Sequence, residues 1–420
     1  MVQEYDMETY AFALGSHPAL SAVEIVSYFR RMNVEIATEL DLLPHALHVT
    51  TTQPTDARRI LRALGGTPYI VRLRGDVSSL TPEALLTMIP ELRQLSAQQP
   101  RLGISLVGSG GAAQYSTGDI HSLGMNLKRT LHARGLHLMF PRKTTALTSA
   151  QLFHGKFPEA GIGLVLFPSR GTWRLGTVEA VQDIRSYARR DRERPAANPG
   201  RGMLPPKLAQ ILINLSLIPD GGTVYDPFSG TGTIPMEALL LGHPIIASDV
   251  SPAQCERTKQ NLRWVWQEML STAQPPFRVF SQDIVTHPPR TPPASVDAVI
   301  TEGWLGPPRT HPPTLSAAQN TFRAVHRRLT AMLQNVRFIL KPHATVLTTV
   351  PAFRMGKRIV RAPFLSSGVD RFPPPPYTRE GLVPPEWDHP VFRGSGHGTL
   401  LYGRPDAMVL RDILRLRLSR

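Results

Sequence analysis

The apolar run Tyr10-Ala-Phe-Ala-Leu14 predicts a strand, and from Ser16 or His17 the apolar residues move to helical spacing through Leu20-Ser-Ala-Val-Glu-Ile-Val-Ser-Tyr-Phe29. Val34 to Ala37, Ala46 to Thr50 and Tyr69 to Leu73 read as strands, and Thr55 to Leu64 as an amphipathic helix closed by Gly65-Gly66. This β-α-β-β-α-β order predicts a small ferredoxin-like domain. A second α+β unit follows. It has a helix over Thr81 to Gln94, a strand over Arg101 to Val107 leading into Gly108 to Gly111, and a basic amphipathic helix over Ser122 to Arg134. A shorter helix over Leu147 to Lys156 precedes the strands Gly163 to Phe167 and Trp173 to Val178, with Pro168-Ser-Arg-Gly171 as the hairpin turn.

The pattern changes after residue 203. Buried strands at Val224 to Asp226, Pro244 to Asp249, Phe277 to Asp283 and Asp297 to Glu302 alternate with helices at Ile234 to Leu241 and Pro252 to Gln267, the latter capped by Ser251. A long helix over Leu315 to Leu340 and a strand over Thr345 to Val350 come next, whereas the Pro-rich stretch between Arg354 and Gly398 predicts no element. Alternating strands and helices predict an open, mostly parallel α/β sheet. In such a sheet ligands sit at the carboxyl ends of the strands, and here Asp226, Asp249, Asp283 and Glu302 close four consecutive strands.

The first of these strands breaks into Asp226-Pro-Phe-Ser-Gly-Thr-Gly-Thr233. Gly230 and Gly232 let the backbone come close to a ligand without a Cβ in the way, and Asp226 suits a cationic, amino-acid-bearing ligand. Asp249 lies where a ribose-hydroxyl acceptor is expected. No Lys follows the glycines, which argues against a Walker loop for ATP or GTP. A bare Gly-x-Gly also reads as an ordinary strand-to-helix turn.

Composition narrows the classes. With 420 residues, two or three domains are expected, and the net charge of +15 favours a polyanionic partner, nucleic acid before an anionic membrane surface. No run has the length of a membrane span and the N-terminus is acidic where a signal peptide is basic, which predicts a soluble, cytoplasmic chain. The single cysteine, Cys255, excludes an internal disulfide and a cysteine-rich zinc site, and scattered histidines suggest no metal. The forty prolines read as stiff connectors. Trp264 and Trp266 read as packing residues.

The loop at Asp226, with Glu237-Ala-Leu and Ser248-Asp249 behind it, resembles the Asp-Pro-Phe-Cys-Gly-Ser-Gly-Thr loop of S-adenosylmethionine-dependent RNA methyltransferases. Arg194-Pro and Gly202-Met-Leu-Pro-Pro-Lys-Leu-Ala-Gln-Ile-Leu-Ile-Asn-Leu-Ser216 are similar to the helix before that loop in THUMP-domain tRNA guanine-N2-methyltransferases, of the guanosine-10 type. Ala13-Leu-Gly-Ser-His-Pro-Ala-Leu-Ser-Ala-Val-Glu24 resembles the start of that family's N-terminal domain, and Thr399-Leu-Leu-Tyr-Gly-Arg-Pro-Asp406 its closing strand.

The resemblance implies an α/β fold: a Rossmann-like class I methyltransferase domain over 203–420, preceded by ferredoxin-like (1–95) and THUMP-like (96–181) α+β domains and a basic linker (182–202). It implies S-adenosyl-L-methionine as cofactor, held by Asp226, Phe228, Gly230, Thr231, Gly232, Asp249 and Asp283, and tRNA as substrate. Lys128, Arg129, Arg134, Arg142, Lys143 and Lys156 would be phosphate contacts of the THUMP-like module, against the plainer reading of solvated surface charge. Arg185, Arg189, Arg190, Arg192 and Arg194 in the linker would lie along RNA, with a charged tether as the alternative. A monomer is expected, and some relatives use a small activator protein.

Transfer of a methyl group to an exocyclic amine needs an in-line approach, an orientated lone pair and a place for a proton. Amino-methyltransferases supply these with Asp/Asn-Pro-Pro-Tyr after the fourth strand, where this chain has Thr301-Glu-Gly-Trp-Leu-Gly-Pro-Pro308. Glu302 keeps a carboxylate as acceptor and Trp304 an aromatic face for an extruded base, but Gly303 replaces a proline. The plainer alternative has Glu302 capping the next turn and Trp304 filling the core. Two other functions stay open: a DNA adenine-N6-methyltransferase, which also uses a fourth-strand motif, and an RNA-binding protein that has lost catalysis. The THUMP-like half and the absence of a DNA-reading motif count against the first.

Overall fold

The computed structural model describes residues 8–39, 46–53, 55–79, 81–94, 101–106, 117–133, 147–169, 172–197, 203–270, 277–366, 372–392 and 398–419. Packing divides the chain into two units, one of residues up to Pro18 with Val34–Ser186 and one of Ala19–Asn33 with Tyr187–Arg420.

The elements of the first half are β1 (Glu8–Ala13), α1 (Pro18–Arg31), β2 (Ile36–Glu39), β3 (Ala46–Thr51), α2 (Ala57–Ala63), β4 (Tyr69–Val77), α3 (Pro82–Met88) and α4 (Glu91–Gln94). After them come β5 (Arg101–Leu106), α5 (Thr117–His132), α6 (Ser149–His154), β6 (Gly161–Ser169) and β7 (Thr172–Val181). The strands form one sheet in the order β2-β3-β1-β4-β7-β6-β5. Its first four strands are antiparallel neighbours in the arrangement expected of a β-α-β-β-α-β segment.

Strand alternation gives the sheet two buried faces. Leu164, Leu166 and Leu175 pack with Leu85, Leu86, Leu127 and Leu131 on one side, while Val165, Phe167 and Val178 pack with Leu147, Leu152 and Phe157 on the other. The division expected at 95/96 is therefore corrected. Val77 of β4 and Leu85, Leu86 and Leu92 of α3 and α4 share one core with Leu102 and Ile104 of β5. The helix expected over Thr81–Gln94 is broken, because Ile89 leaves helical geometry (φ −126°, ψ 79°) ahead of Pro90. Helix α1, expected in the ferredoxin-like domain, groups with the second unit, where Asn214 Nδ2 donates to the buried carboxylate of Glu24 at 2.9 Å. Arg134, Arg142, Lys143, the run Gly108 to Gly111 and part of the hairpin turn at 168–171 lie outside the described residues.

The remaining elements are α7 (Ile184–Ala188), α8 (Pro206–Leu215), β8 (Val224–Asp226), α9 (Thr233–Leu240), β9 (Ile245–Asp249), α10 (Pro252–Met269), β10 (Phe277–Ser281), β11 (Val296–Thr301) and α11 (Leu315–Val336). They end with β12 (Leu340–Met355), β13 (Arg358–Val360), β14 (Tyr377–Glu380), β15 (Leu400–Tyr402) and β16 (Val409–Leu418). The second sheet has the order β10-β9-β8-β11-β12-β16-β14, with β13 beside β12 and β15 beside β16. Strands β10 to β12 run parallel and β16 and β14 antiparallel to their neighbours, which is the Rossmann-like class I methyltransferase arrangement.

Helix α11 is capped by the Thr314 hydroxyl and buries Phe322, Val325, Leu329, Met332 and Leu333 at helical spacing against this sheet. It ends at Val336, so the expected continuation to Leu340 is corrected, and β12 extends well beyond the expected Thr345 to Val350. The closing strand is β16, which pairs along β12 from Thr345↔Arg417 to Phe353↔Val409, while Leu400–Tyr402 only borders it. Charges at Arg411, Asp412, Arg415 and Arg417 interrupt its apolar pattern in sequence. Inside the fold Glu302, Arg361 and Glu380 pair with them.

Candidate active site

The strand order reverses between β8 and β11, and the crevice beyond their carboxyl ends is the ligand-binding place of such a sheet. At the end of β8 the buried Asp226 Oδ1 accepts from Thr301 Oγ1 at 2.6 Å and from Phe228 N at 3.1 Å. Burial pushes the Asp226 carboxyl up to about 7; the two hydrogen bonds oppose this, and the nearby Asp249 and Glu302 carboxylates add to it.

Gly230 (φ +54°) and Gly232 (φ +84°) are both left-handed, but for different surroundings. A Cβ at Gly230 would meet nothing within 4 Å, so that side of the loop faces open space. At Gly232 it would lie 2.9 Å from Thr258 Cγ2, so this glycine permits close helix packing rather than ligand approach. Helix α10 fixes the loop further: Thr258 Oγ1 donates to Gly230 O at 3.0 Å and Asn261 Nδ2 to Thr231 O at 2.7 Å.

Asp249, at the end of β9, accepts from Gly230 N at 3.0 Å through Oδ2 and from Ser251 N at 2.9 Å through Oδ1. It therefore braces the glycine loop. Asp283 lies past the end of β10, in a turn where its Oδ1 accepts from Val285 N at 3.0 Å.

A pocket is lined by Asp226, Phe228, Gly230, Thr231, Gln254 and Glu302 among others. Glu302 follows the last residue of β11, and Arg411 Nε of β16 donates to its Oε1 at 2.5 Å. Burial pushes the Glu302 carboxyl up, and the Arg411 guanidinium works against that. Among the described residues Oε2 accepts no hydrogen bond.

Gly303 has φ +72°, and a Cβ there would lie 3.3 Å from Thr349 O. Proline is locked near φ of about −65°, so the departure from Asp/Asn-Pro-Pro-Tyr is a different loop path, one only glycine adopts readily. Trp304 is half-buried on the core of this unit, with the Arg328 guanidinium 4.6 Å from its ring centroid. Phe228, Trp304, Arg328 and Thr349 line a smaller neighbouring pocket. The sheet thus brings Asp226, Phe228, Gly230, Thr231 and Glu302 to one pocket and sets Trp304 at its neighbour. Asp249, Gly232 and Asp283 stand in supporting positions.

The linker reading needs correction. Arg190 is 5% exposed, its Nε donating to the fully buried Glu237 Oε1 at 2.6 Å, and Arg194 is 3% exposed, donating to Thr233 Oγ1 at 2.7 Å. Both arginines fasten residues 187–197 to α9 instead of facing phosphates. Arg189 bonds Glu268 at 3.4 Å and lies over Trp264, whereas Arg185 and Arg192 are exposed. Arg129 and Lys156 are also exposed and Lys128 half-buried. Among the described residues no cluster of His, Cys, Asp or Glu could hold a metal ion, and no helix is long and apolar enough to cross a membrane.

Sequence reading missed Arg411, Thr301, Gln254, Thr258 and Asn261. Thr301 precedes Glu302 and could have been suspected from its place at a strand end. The others come from α10 and β16, and no local motif marks them.

Residues 192–286 match the family model described as RMKL-like, methyltransferase domain. The tRNA (guanine(10)-N2)-dimethyltransferase of Methanothermobacter thermautotrophicus is 39% identical over 74 residues, 18% of this chain and 21% of that one. The enzyme of the same name from Methanocaldococcus jannaschii is 33% identical over 91 residues, 22% and 26% of the two chains. The matches thus span about a fifth to a quarter of those relatives' length. In fold, TrmN from Thermus thermophilus superimposes with a TM-score of 0.51 at 17% identity, over 98% of this chain and 99% of that one. The matched segment contains the strands β8, β9 and β10 and the glycine loop, and this part of the chain is thereby similar to RMKL-like methyltransferase domains.

Proposed function

We propose that the chain is a tRNA methyltransferase that moves a methyl group from S-adenosyl-L-methionine to the exocyclic N2 of a guanosine, of the position-10 type. The carrying observation is that the glycine loop and the Glu302 carboxylate line one pocket at the reversal of strand order. A donor site and an acceptor for an amine N–H therefore adjoin. The similarity of 74 and 91 residues of this chain to two tRNA (guanine(10)-N2)-dimethyltransferases supports the choice of substrate.

The residues fit such a cofactor. Gly230 leaves an open approach, Asp226 offers a buried carboxyl to a cationic group, and the Ser229 hydroxyl, buried on the pocket wall, has no hydrogen-bond partner among the described residues. Asp249 keeps lone pairs for a ribose hydroxyl while its bonds to the loop hold it still. When bound, S-adenosylmethionine supplies an electrophilic methyl group on a sulfonium. Glu302 Oε2 accepts from the guanine amine, which aligns the nitrogen lone pair, and the carboxylate can take the proton released after transfer. Arg411 keeps that carboxylate aimed and charged. Phe228 and Trp304 present ring surface beside this point, suited to stacking an extruded base.

Incubation of the purified chain with unmodified tRNA transcript and S-adenosylmethionine, followed by nucleoside mass spectrometry, tests the reading. N2-methylated guanosine, mapped by fragment analysis to position 10, is expected. A folded, cofactor-binding chain that leaves tRNA guanosine unmodified would refute it, and methyladenine on duplex DNA would favour the adenine-N6 alternative.

A further inference from the structure

Helix α11 has a polar face that its fold does not use. Its 22 residues include Arg323, Arg327 and Arg328 and no Asp or Glu, and these three side chains are exposed while Phe322, Val325 and Leu329 turn inward. Arg323 and Arg327 stand four residues apart, where like charges repel and weaken the helix. An exposed helix face gains nothing from this arrangement by itself. Among the described residues none of the three guanidiniums has a carboxylate within ion-pair distance; Arg323 bonds Asn320, and Arg328 lies over Trp304. Arg328 also lines the pocket that Phe228, Gly303 and Trp304 share, so this positive face begins at the candidate active site.

We propose that the exposed face of α11, through Arg323, Arg327 and Arg328, is an RNA-backbone surface that grips the phosphates next to the nucleotide entering the active site. This rests on the tRNA methyltransferase reading and adds a surface in the catalytic unit to the charges expected in the first half of the chain. Arginine forks suit phosphate oxygens, and one helical turn sets Arg323 and Arg327 side by side along a strand. Arg328, stacked on Trp304, joins that grip to the aromatic ring beside the base. With Arg190 and Arg194 committed to Glu237 and Thr233, the linker contributes less to RNA than its composition suggests.

The test is the full chain carrying Arg323→Ala and Arg327→Ala together, with Arg328 left in place. The expected result is a roughly tenfold weaker tRNA affinity and a salt dependence shallower by about two, close to one for each phosphate no longer gripped. S-adenosylmethionine affinity and the melting temperature should stay as in the parent, or the latter rise slightly as the i, i+4 repulsion is relieved. If the double variant keeps the parent's tRNA affinity and salt slope, this surface is overturned while the function stands. If the parent chain binds no tRNA, both readings fall. Loss of binding to polyglutamate with tRNA affinity intact would assign the face to an acidic protein and overturn the RNA assignment.

Discussion

Replacing Arg411 by Gln removes the cation that holds Glu302 while keeping a hydrogen-bonding side chain of moderate size. The pair is neither exposed nor fully dry, with 15% and 22% of the two side chains accessible and an Nε to Oε1 distance of 2.5 Å. An exposed pair contributes under about 1 kcal/mol and breaking a fully buried one costs about 3 to 5, so roughly 2 kcal/mol is expected here. For a unit of more than 200 residues, that corresponds to a melting temperature lower by about 4 to 8 °C.

The loss should depend on pH in a definite direction. Burial already pushes the folded-state Glu302 carboxyl above its usual range, so stability falls as pH rises from the unfolded value through the higher folded one. Without Arg411 the folded value moves further up and the falling stretch widens. The melting deficit of Arg411→Gln should therefore shrink as the pH falls towards protonation of the carboxyl and grow as the pH rises. The same shift predicts that the acid limb of the single-turnover methylation rate moves to higher pH, because the amine needs an ionised acceptor. At neutral pH the rate should drop by roughly ten- to a thousandfold, the range for one positioned polar group. Arg411→Lys should recover part of it, and cofactor affinity should not change. An acid limb at the parent's pH, with a melting deficit that does not change with pH, would refute the assignment.

Three further outcomes are expected. Asp226, pushed up to about 7, should ionise fully when a sulfonium and an ammonium arrive, so calorimetry of S-adenosylmethionine binding at pH 6.5 to 7 (roughly its midpoint) should reveal proton release through its dependence on buffer ionisation enthalpy; no dependence would remove Asp226 from the site. Arg190→Ala strands the buried Glu237 carboxylate and should cost about 3 to 5 kcal/mol in denaturant unfolding while leaving the salt slope of tRNA binding as it was, and a changed slope with full stability would restore it as a phosphate contact. Gly303→Ala should cost roughly 1 kcal/mol for its left-handed φ, and Gly303→Pro considerably more together with loss of methylation; a Pro variant that melts and turns over like the parent would show that the loop path described is wrong.

The sequence by itself determined much of the second unit. Parallel strands buried on both sides read as continuous apolar runs, and the turn after β8 carries its own explanation in Asp226, Gly230 and Gly232, so its strand-loop-helix order and the carboxylates at the strand ends were legible. The glycine loop is a local device, formed by residues adjacent in the chain, and Glu302 and Trp304 were singled out because they follow a buried strand. Where pattern and packing part company, sequence reading failed. β16 carries four charges and shows a poor strand pattern, yet Glu302, Arg361 and Glu380, distant in sequence, make those charges tolerable in a central strand.

The linker arginines are the converse case. Composition could count them but not tell that Glu237 on α9 would draw Arg190 inside, since one buried carboxylate decides between a core ion pair and a phosphate contact. The division of the first half at 95/96 failed for a related reason: strand edges carry no sequence mark, and β4 accepts β1 on one edge and β7 on the other. Arg411 stands 109 residues from Glu302, and only the closing of the second sheet sets the two 2.5 Å apart. Local backbone geometry and burial period are written residue by residue in the chain. Which charge meets which, and which strand edges join, is settled by long-range packing that only the tertiary structure contains.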